Sequence, residues 1–418
     1  MAFTPWMTSN DIIEAVKRKI AFPISQNTFS EEDILRFANE EMFISQVPSV
    51  LQYHEEYFVY RIKAPLVSNI SRYPIPDRAI GMRMRDIMWS DSAGSYFEMS
   101  RVNSDDKAYF QGGTGLNEGI HKFYIENNDV VLTPPVTNGP TGTLNFFIFL
   151  RPNQLVKNDR ARIIQSFTQD ITVANNGAFV VGDKIVITTG TQTPTPVIYN
   201  IAFTPGVSAN ATAIAIQTAV NAAAIPGLTA MVSSAVVTCT FLDITAGFVS
   251  TNAVAAPVSS NIGFNFDSAL TGLISSGSKI DFLQTKPGHK TYTFDVVVQS
   301  VSGSAAKVEK AALLTELSVG TGAAPQVFNI QIGDYVCLAG ESIIPQIPPD
   351  LHNMLAEKTA SRILASLGDQ AGLAISNEKL KEMEYRQGSL LDNRSDGNPQ
   401  KITGRRSLLR YTKMTPRR

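Results

Sequence analysis

For metal or proton chemistry this chain offers four histidines, His54, His121, His289 and His352. None stands at ligand spacing from a cysteine or from another histidine. His54-Glu55-Glu56 lacks the second histidine that would put two ligands on one helix face. There is no Gly-x-Ser-x-Gly elbow for a serine nucleophile. Gly113-Thr114-Gly115 falls in a glycine-rich stretch, residues 111–119, that reads as a loop. It has no strand and helix around it and no Gly-Lys-Ser/Thr after it, so it does not read as a phosphate cradle. Glu31, Glu32 and Asp33 sit where a helix begins, and the positive end of the helix dipole accounts for them. The expectation is no catalytic residue, no metal and no cofactor.

The residues that promise a function are cations. From Asn393 to Arg418 there are eight Lys/Arg and one acid, Asp396, a charge of +7. The whole chain carries −1, so residues 1–392 carry −8. Within this arm Arg405, Arg406 and Arg410 alternate with Leu408, Leu409 and Tyr411. Guanidinium groups pair bidentately with carboxylates, and the apolar residues suit pockets or strand addition on a neighbour. The first reading is therefore docking on another protein. Contact with DNA phosphates and a simply solvated tail are the other two.

The positioning elements come next. Hydrophobic residues make up 44% of the chain and charged residues 17%, enough apolar content for more than one core. Cys239 and Cys337 lie far apart and read as reduced, buried thiols. The N-terminal residues lack the pattern of a signal peptide, and no run of about 18 apolar residues marks a membrane span.

Residues 8–21 read as a helix capped by Thr8 with Asp11, and Ser30 with Asp33 repeats the capping box before Ile34, Phe37, Ala38 and Met42. Pro23 and Pro48 are expected to end these two helices. Strands follow at residues 57–62, 123–125, 130–132 and 144–150, with Asn127-Asn128-Asp129 as a hairpin turn. Residues 171–266 hold three charges, Asp183, Lys184 and Asp243. They read as an inserted α+β or β-sandwich module with one helix near residues 211–224, capped by Ser208 or Asn210. Strands resume at residues 279–283, 291–298 and 327–338. Two helices close the pattern, one opening at Pro348-Pro349 and stopping at Gly368, the other near residues 370–390. The expected fold class is α+β. Residues 1–55 and 346–392 form a four-helix platform beside a β-rich domain of residues 56–170 and 267–345.

The run GDYVCLAGE at residues 333–341, the IPPDLH run at 347–352 and the Leu367-Gly368-Asp369 break carry a resemblance. With the opening helix, residues 29–35 and the segment 78–86, they resemble head-to-tail adaptor proteins of short-tailed phages. The resemblance covers roughly residues 8–165 and 265–412 and leaves out about 172–266. It implies a virion structural protein, built in the bacterial cytoplasm and placed in the neck or tail. It implies a ring of about twelve copies beneath the portal protein, extending the channel for double-stranded DNA without reading its sequence. Other tail or nozzle proteins would dock below, and no membrane insertion or catalysis is implied. By the same resemblance, residues 77–81 with Arg83 and Arg85 are ring-interface groups. From the residues alone they read equally as a turn and an alternating edge strand.

A second reading is a tail-associated module that binds a host surface or carbohydrate through the insertion. It needs an exposed aromatic cluster, for which Phe179, Tyr199, Phe203, Phe241, Phe248, Phe264 and Phe266 are the candidates. A cell-wall hydrolase has no acid/base constellation to rest on.

Overall fold

The computed structural model describes residues 6–20, 29–67, 70–91, 95–103, 122–133, 142–179, 182–189, 197–244, 246–285, 291–313 and 330–390. Expectations for the loop 111–119, for His121 and His289, and for the arm 393–418 lie outside these residues.

Both opening helices form where their capping boxes stand. In α1 (Ser9–Lys19) the Thr8 side chain accepts from the Asp11 amide while Asp11 accepts from the Thr8 amide. Ser30 and Asp33 do the same for α2 (Glu31–Glu41). Each box satisfies amides that a helix start leaves unpaired. The chain then departs from expectation at Pro48. This proline does not end the helical run but lies in the first turn of α3 (Val47–Tyr53). Between α2 and α3 runs a π turn, Met42–Gln46, in which the Val47 amide donates to Met42 O. A proline ring clashes with the carbonyl four residues back in α winding, and the wider π turn relieves that clash.

α5 (His352–Leu367) packs against α1 and α2, and α6 (Gln370–Leu390) packs against α5. Ile12, Val16, Ile34, Ala38, Met42, Val50, Leu355 and Ile363 form one buried core shared by the two ends of the chain. Gly368 ends α5 at φ +74°, a conformation that costs glycine little. Glu357 is buried in this core, paired with Lys19 of α1 and accepting from Ser376 Oγ of α6 at 2.9 Å. One carboxylate thus joins three helices.

The first β layer is a sheet in the order β1 (Val59–Pro65), β7 (Gly142–Leu150), β3 (Ala79–Asp91), β4 (Tyr96–Glu98). A second small sheet runs β2 (Arg72–Pro74), β6 (Asp129–Thr133), β5 (Lys122–Glu126). Its hairpin turns on Asn127 and Asn128, at φ +50° and +64°, the pair of left-handed residues that a tight hairpin needs. Both sheets share a core around Phe146, Ile148, Ile87 and Leu132.

The largest element is a barrel. β9 (Arg162–Thr172) pairs with β15 (Val258–Phe266), followed by β18 (Ala305–Glu309), β17 (Thr291–Ser302), β16 (Lys279–Leu283) and β19 (Tyr335–Leu338). β19 returns to β9 through Tyr335 opposite Ile163, which closes six antiparallel strands. Phe264, Phe282, Phe167 and Ile280 are fully buried in the core beneath them. Gly263 lets β15 approach β9, since a Cβ there would fall 2.0 Å from Thr168 Oγ1. A short parallel pair, β8 (Gln154–Leu155) with β20 (Glu341–Ser342), joins barrel to platform.

The charge-poor segment is less separate than its composition suggests. The hairpin β12 (Thr229–Ser233) and β13 (Val236–Phe241) extends directly from the far half of β9. β15, expected inside the insertion, is a barrel strand. One apolar core runs from the barrel into β10 (Lys184–Thr189), β11 (Val197–Ala202), β14 (Gly247–Ser250) and α4 (Ala209–Ala222). The scarcity of charge follows this shared core. The chain leaves β9 at Thr172, beside the expected border at 171, and returns to the barrel at Val258, inside the expected border at 266. α4 is capped by Ser208, whose hydroxyl accepts from the Ala211 amide at 3.2 Å. Of the expected strand 327–338 the described residues are 330–338, and among these Tyr335–Leu338 is strand. Gly333 turns at φ +90°, and Asp334 Oδ2 accepts from the Gln331 amide at 2.7 Å.

Candidate functional site

The segment 77–86, singled out by sequence, divides in two. Arg78 points inward. Its Nη2 lies 2.5 Å from Asp281 Oδ2 and 2.9 Å from Asn153 Oδ1, and its guanidinium sits 5.4 Å from the Phe294 ring centre. Asp281 is fully buried in β16. Its Oδ2 also accepts from Asn153 Nδ2 at 2.7 Å and the Gly340 amide at 2.9 Å, and its Oδ1 from the Asp295 amide at 2.9 Å. A buried carboxylate is tolerable only when paired and hydrogen-bonded, and this one has four donors.

Those donors come from the turn before β3, the β7–β8 loop, the β19–β20 turn and a bulge in β17. Asp295 sits in that bulge at φ +56°, a region unfavourable to a residue with a side chain. The hydrogen bond to Asp281 holds it there. Asn153 passes the network on, donating from Nδ2 to Glu341 O and from its amide to Gln346 Oε1 at 2.7 Å. Arg160 then grips Glu341 bidentately at 2.6 and 3.0 Å. This cluster fastens the first sheet to the barrel. Asp281 and Asn153 are closed to solvent within it, while Arg160 and Glu341 line an open groove beside α2 and β8.

Arg83 and Arg85 remain at the surface. They lie where β3 has β7 on one side only, since β4 pairs with residues 88–90 alone. The backbone bulges there, with Gly81 and Met82 at positive φ. Arg83 lies over Phe149, its guanidinium carbon 5.6 Å from the ring centre, and Arg85 lies 3.9 Å from Glu56. The alternating edge strand is present, and Arg78 belongs to the interior.

The platform presents apolar side chains outward. Tyr385 is 90% exposed and Ile375 59% on α6, and Ile44 is 69% exposed in the π turn. α6 turns Leu380 and Met383 towards the core. The six residues proposed for docking, Arg405, Arg406, Leu408, Leu409, Arg410 and Tyr411, lie outside the described residues.

The seven aromatic residues of the alternative reading are turned inward. Phe241, Phe248, Phe264 and Phe266 are buried, while Phe179, Tyr199 and Phe203 are half-buried against the same core. Phe179 and Phe203 pack edge to face, their centres 5.4 Å apart. None forms an exposed stacking platform.

His352 is also internal. Its Nδ1 accepts from the Met7 amide at 3.0 Å, and its Nε2 lies 3.2 Å from the carbonyls of Pro345 and Ile347. The proton therefore sits on Nε2. Among the described residues no three His, Cys, Asp or Glu gather as a metal site. Burial pushes the Cys239 thiol up to about 12 and raises that of Cys337.

Sequence reading missed Asp281, Asn153, Asn39 and Glu357. One signal was available for Asp281. It interrupts the apolar strand KIDFL, where an acid needs a partner on whichever face it occupies. The other three have no local signature. No known family model matches the chain. No curated protein matches it either.

Proposed function

We propose that this chain is a head-to-tail adaptor of a short-tailed phage, a structural ring protein seated beneath the portal. The observation that carries the reading is the shared platform. Helices from both ends of the chain meet in one core beside a β-rich body, in the element order that the resemblance implies. A second support is the distribution of charge, a body of −8 followed by an arm of +7.

In this role about twelve copies form the ring by a heterologous contact, each burying one face of its neighbour. The outward apolar residues of α6 and the π turn, Tyr385, Ile375 and Ile44, are the proposed contact. Arg405, Arg406 and Arg410 pair with carboxylates of the portal or of the neighbouring copy, while Leu408, Leu409 and Tyr411 fill its pockets. DNA passes through the channel without sequence readout, and tail or nozzle proteins dock below. The work is assembly and sealing in the neck of the virion, with no reaction catalysed.

Electron microscopy of the protein mixed with the portal of the same virus tests this reading. A ring of density added to one end of the portal supports it. Portal particles without added density contradict it.

A further inference from the structure

This molecule guards its sheet edges. On β12 the Asn221 side chain imitates a neighbouring strand, donating from Nδ2 to Ala230 O at 3.0 Å and accepting from the Ala230 amide at 2.8 Å. On β8, Asn39 does the same for Leu155, at 3.0 and 2.7 Å. Edge strand β1 carries Arg61, Lys63 and Pro65, and edge strand β2 carries Arg72 and Pro74. Such devices stop one sheet from adding to another.

Edge strand β11 has none of them. Its sequence, VIYNIA, holds no charge, proline or glycine. It pairs with β10 over six consecutive residues without a bulge, and among the described residues its other side has no hydrogen-bonding partner. The outward face of this small sheet is mixed, with Ile198 58% and Val249 59% exposed beside Thr188, Asn200 and Lys184.

We infer that β11 is an interface between two copies of this chain. The two β11 strands pair antiparallel about a two-fold axis at Asn200, joining two three-stranded sheets into one of six. Opposed residues in an antiparallel pair point to the same face. Asn200 therefore meets the partner's Asn200, and Ile198 meets the partner's Ala202, large against small. A shift of two residues would set Ile198 against the partner's Asn200 instead. A second copy fits because the strand is uncharged on both sides of the contact, so pairing desolvates no ion. The pairing needs no portal and stands apart from the adaptor reading.

The test is disulfide trapping of the full-length protein carrying Asn200→Cys. Opposed Cα atoms in such a pair lie about 4.5–5.5 Å apart, within disulfide range. Cys239 and Cys337 are buried and do not compete. Asn210→Cys, exposed at the start of α4, is the control. The expected result is that Asn200→Cys forms a disulfide-linked dimer at least tenfold faster than the control. Adding Ile198→Lys, which sets charge on the joint, is expected to abolish that dimer while leaving the circular dichroism unchanged. Equal rates for Asn200→Cys and Asn210→Cys overturn the proposal. So does a loss of mass in sedimentation on Ile198→Lys alone without trapping at Asn200→Cys, which would put another strand on this edge. Trapping without any ring on the portal leaves this pairing standing and counts against the adaptor reading alone.

Discussion

Arg78 and Asp281 stand 203 residues apart in the chain and meet at 2.5 Å beneath the first sheet, in a site closed to solvent on the carboxylate side. Replacing Asp281 by alanine leaves the guanidinium, the Asn153 amide and two backbone amides without their acceptor. Breaking one half of a buried pair costs about 3–5 kcal/mol. Chemical denaturation of Asp281→Ala is expected to show a loss of that size. The double variant Arg78→Met, Asp281→Leu is expected to lose much less than Asp281→Ala alone, because no charge is left buried. Equal losses would show that the pair does not act as a unit.

Asn39 ties α2 to β8 through both hydrogen bonds of Leu155. Asn39→Ala leaves that buried amide and carbonyl unpaired, at a cost of about 1–3 kcal/mol for each group left unsatisfied. The expected signature in hydrogen exchange is earlier opening of residues 153–156 with the barrel strands still protected. Unchanged exchange at Leu155 would remove Asn39 from this role.

Both thiols are buried, and burial raises them above the ordinary thiol range. The thiolate is the reactive species, so a thiol reagent at pH 8 is expected to label neither Cys239 nor Cys337 in the folded protein. Both should react after addition of denaturant. Rapid labelling of the native protein would show that the barrel opens.

The arm variant Arg405→Ala, Arg406→Ala, Arg410→Ala removes three cations that pair with carboxylates. Its portal binding is expected to fall at least tenfold at low salt, with a weaker salt dependence than that of the parent. Affinity unchanged at low salt would assign the arm no docking role.

The two opening helices were legible because each begins with a complete local signature. Thr8 with Asp11 and Ser30 with Asp33 are contacts three residues apart, and Gly368 marks its own stop. The Asn127-Asn128 hairpin was legible for the same reason. Pro48 misled because the rule against proline inside a helix assumes α winding, and the π turn suspends it. The expected border at residue 266 falls inside barrel strand β15, because low charge reports burial, not separateness. Strand pairing between residues 163 and 335, or 167 and 264, is set by the barrel closing on itself, and no local pattern encodes it. The Arg78–Asp281 tie was hidden for that reason: each residue looks ordinary until the strands that carry them meet.

The adaptor reading is tested most directly by light-scattering mass of the protein mixed with its portal, with and without residues 393–418. The account predicts a complex whose added mass equals a whole ring of about twelve 45.5 kDa chains on one portal, lost or strongly weakened in the shortened protein. A portal whose mass does not change on adding the full-length protein would contradict it.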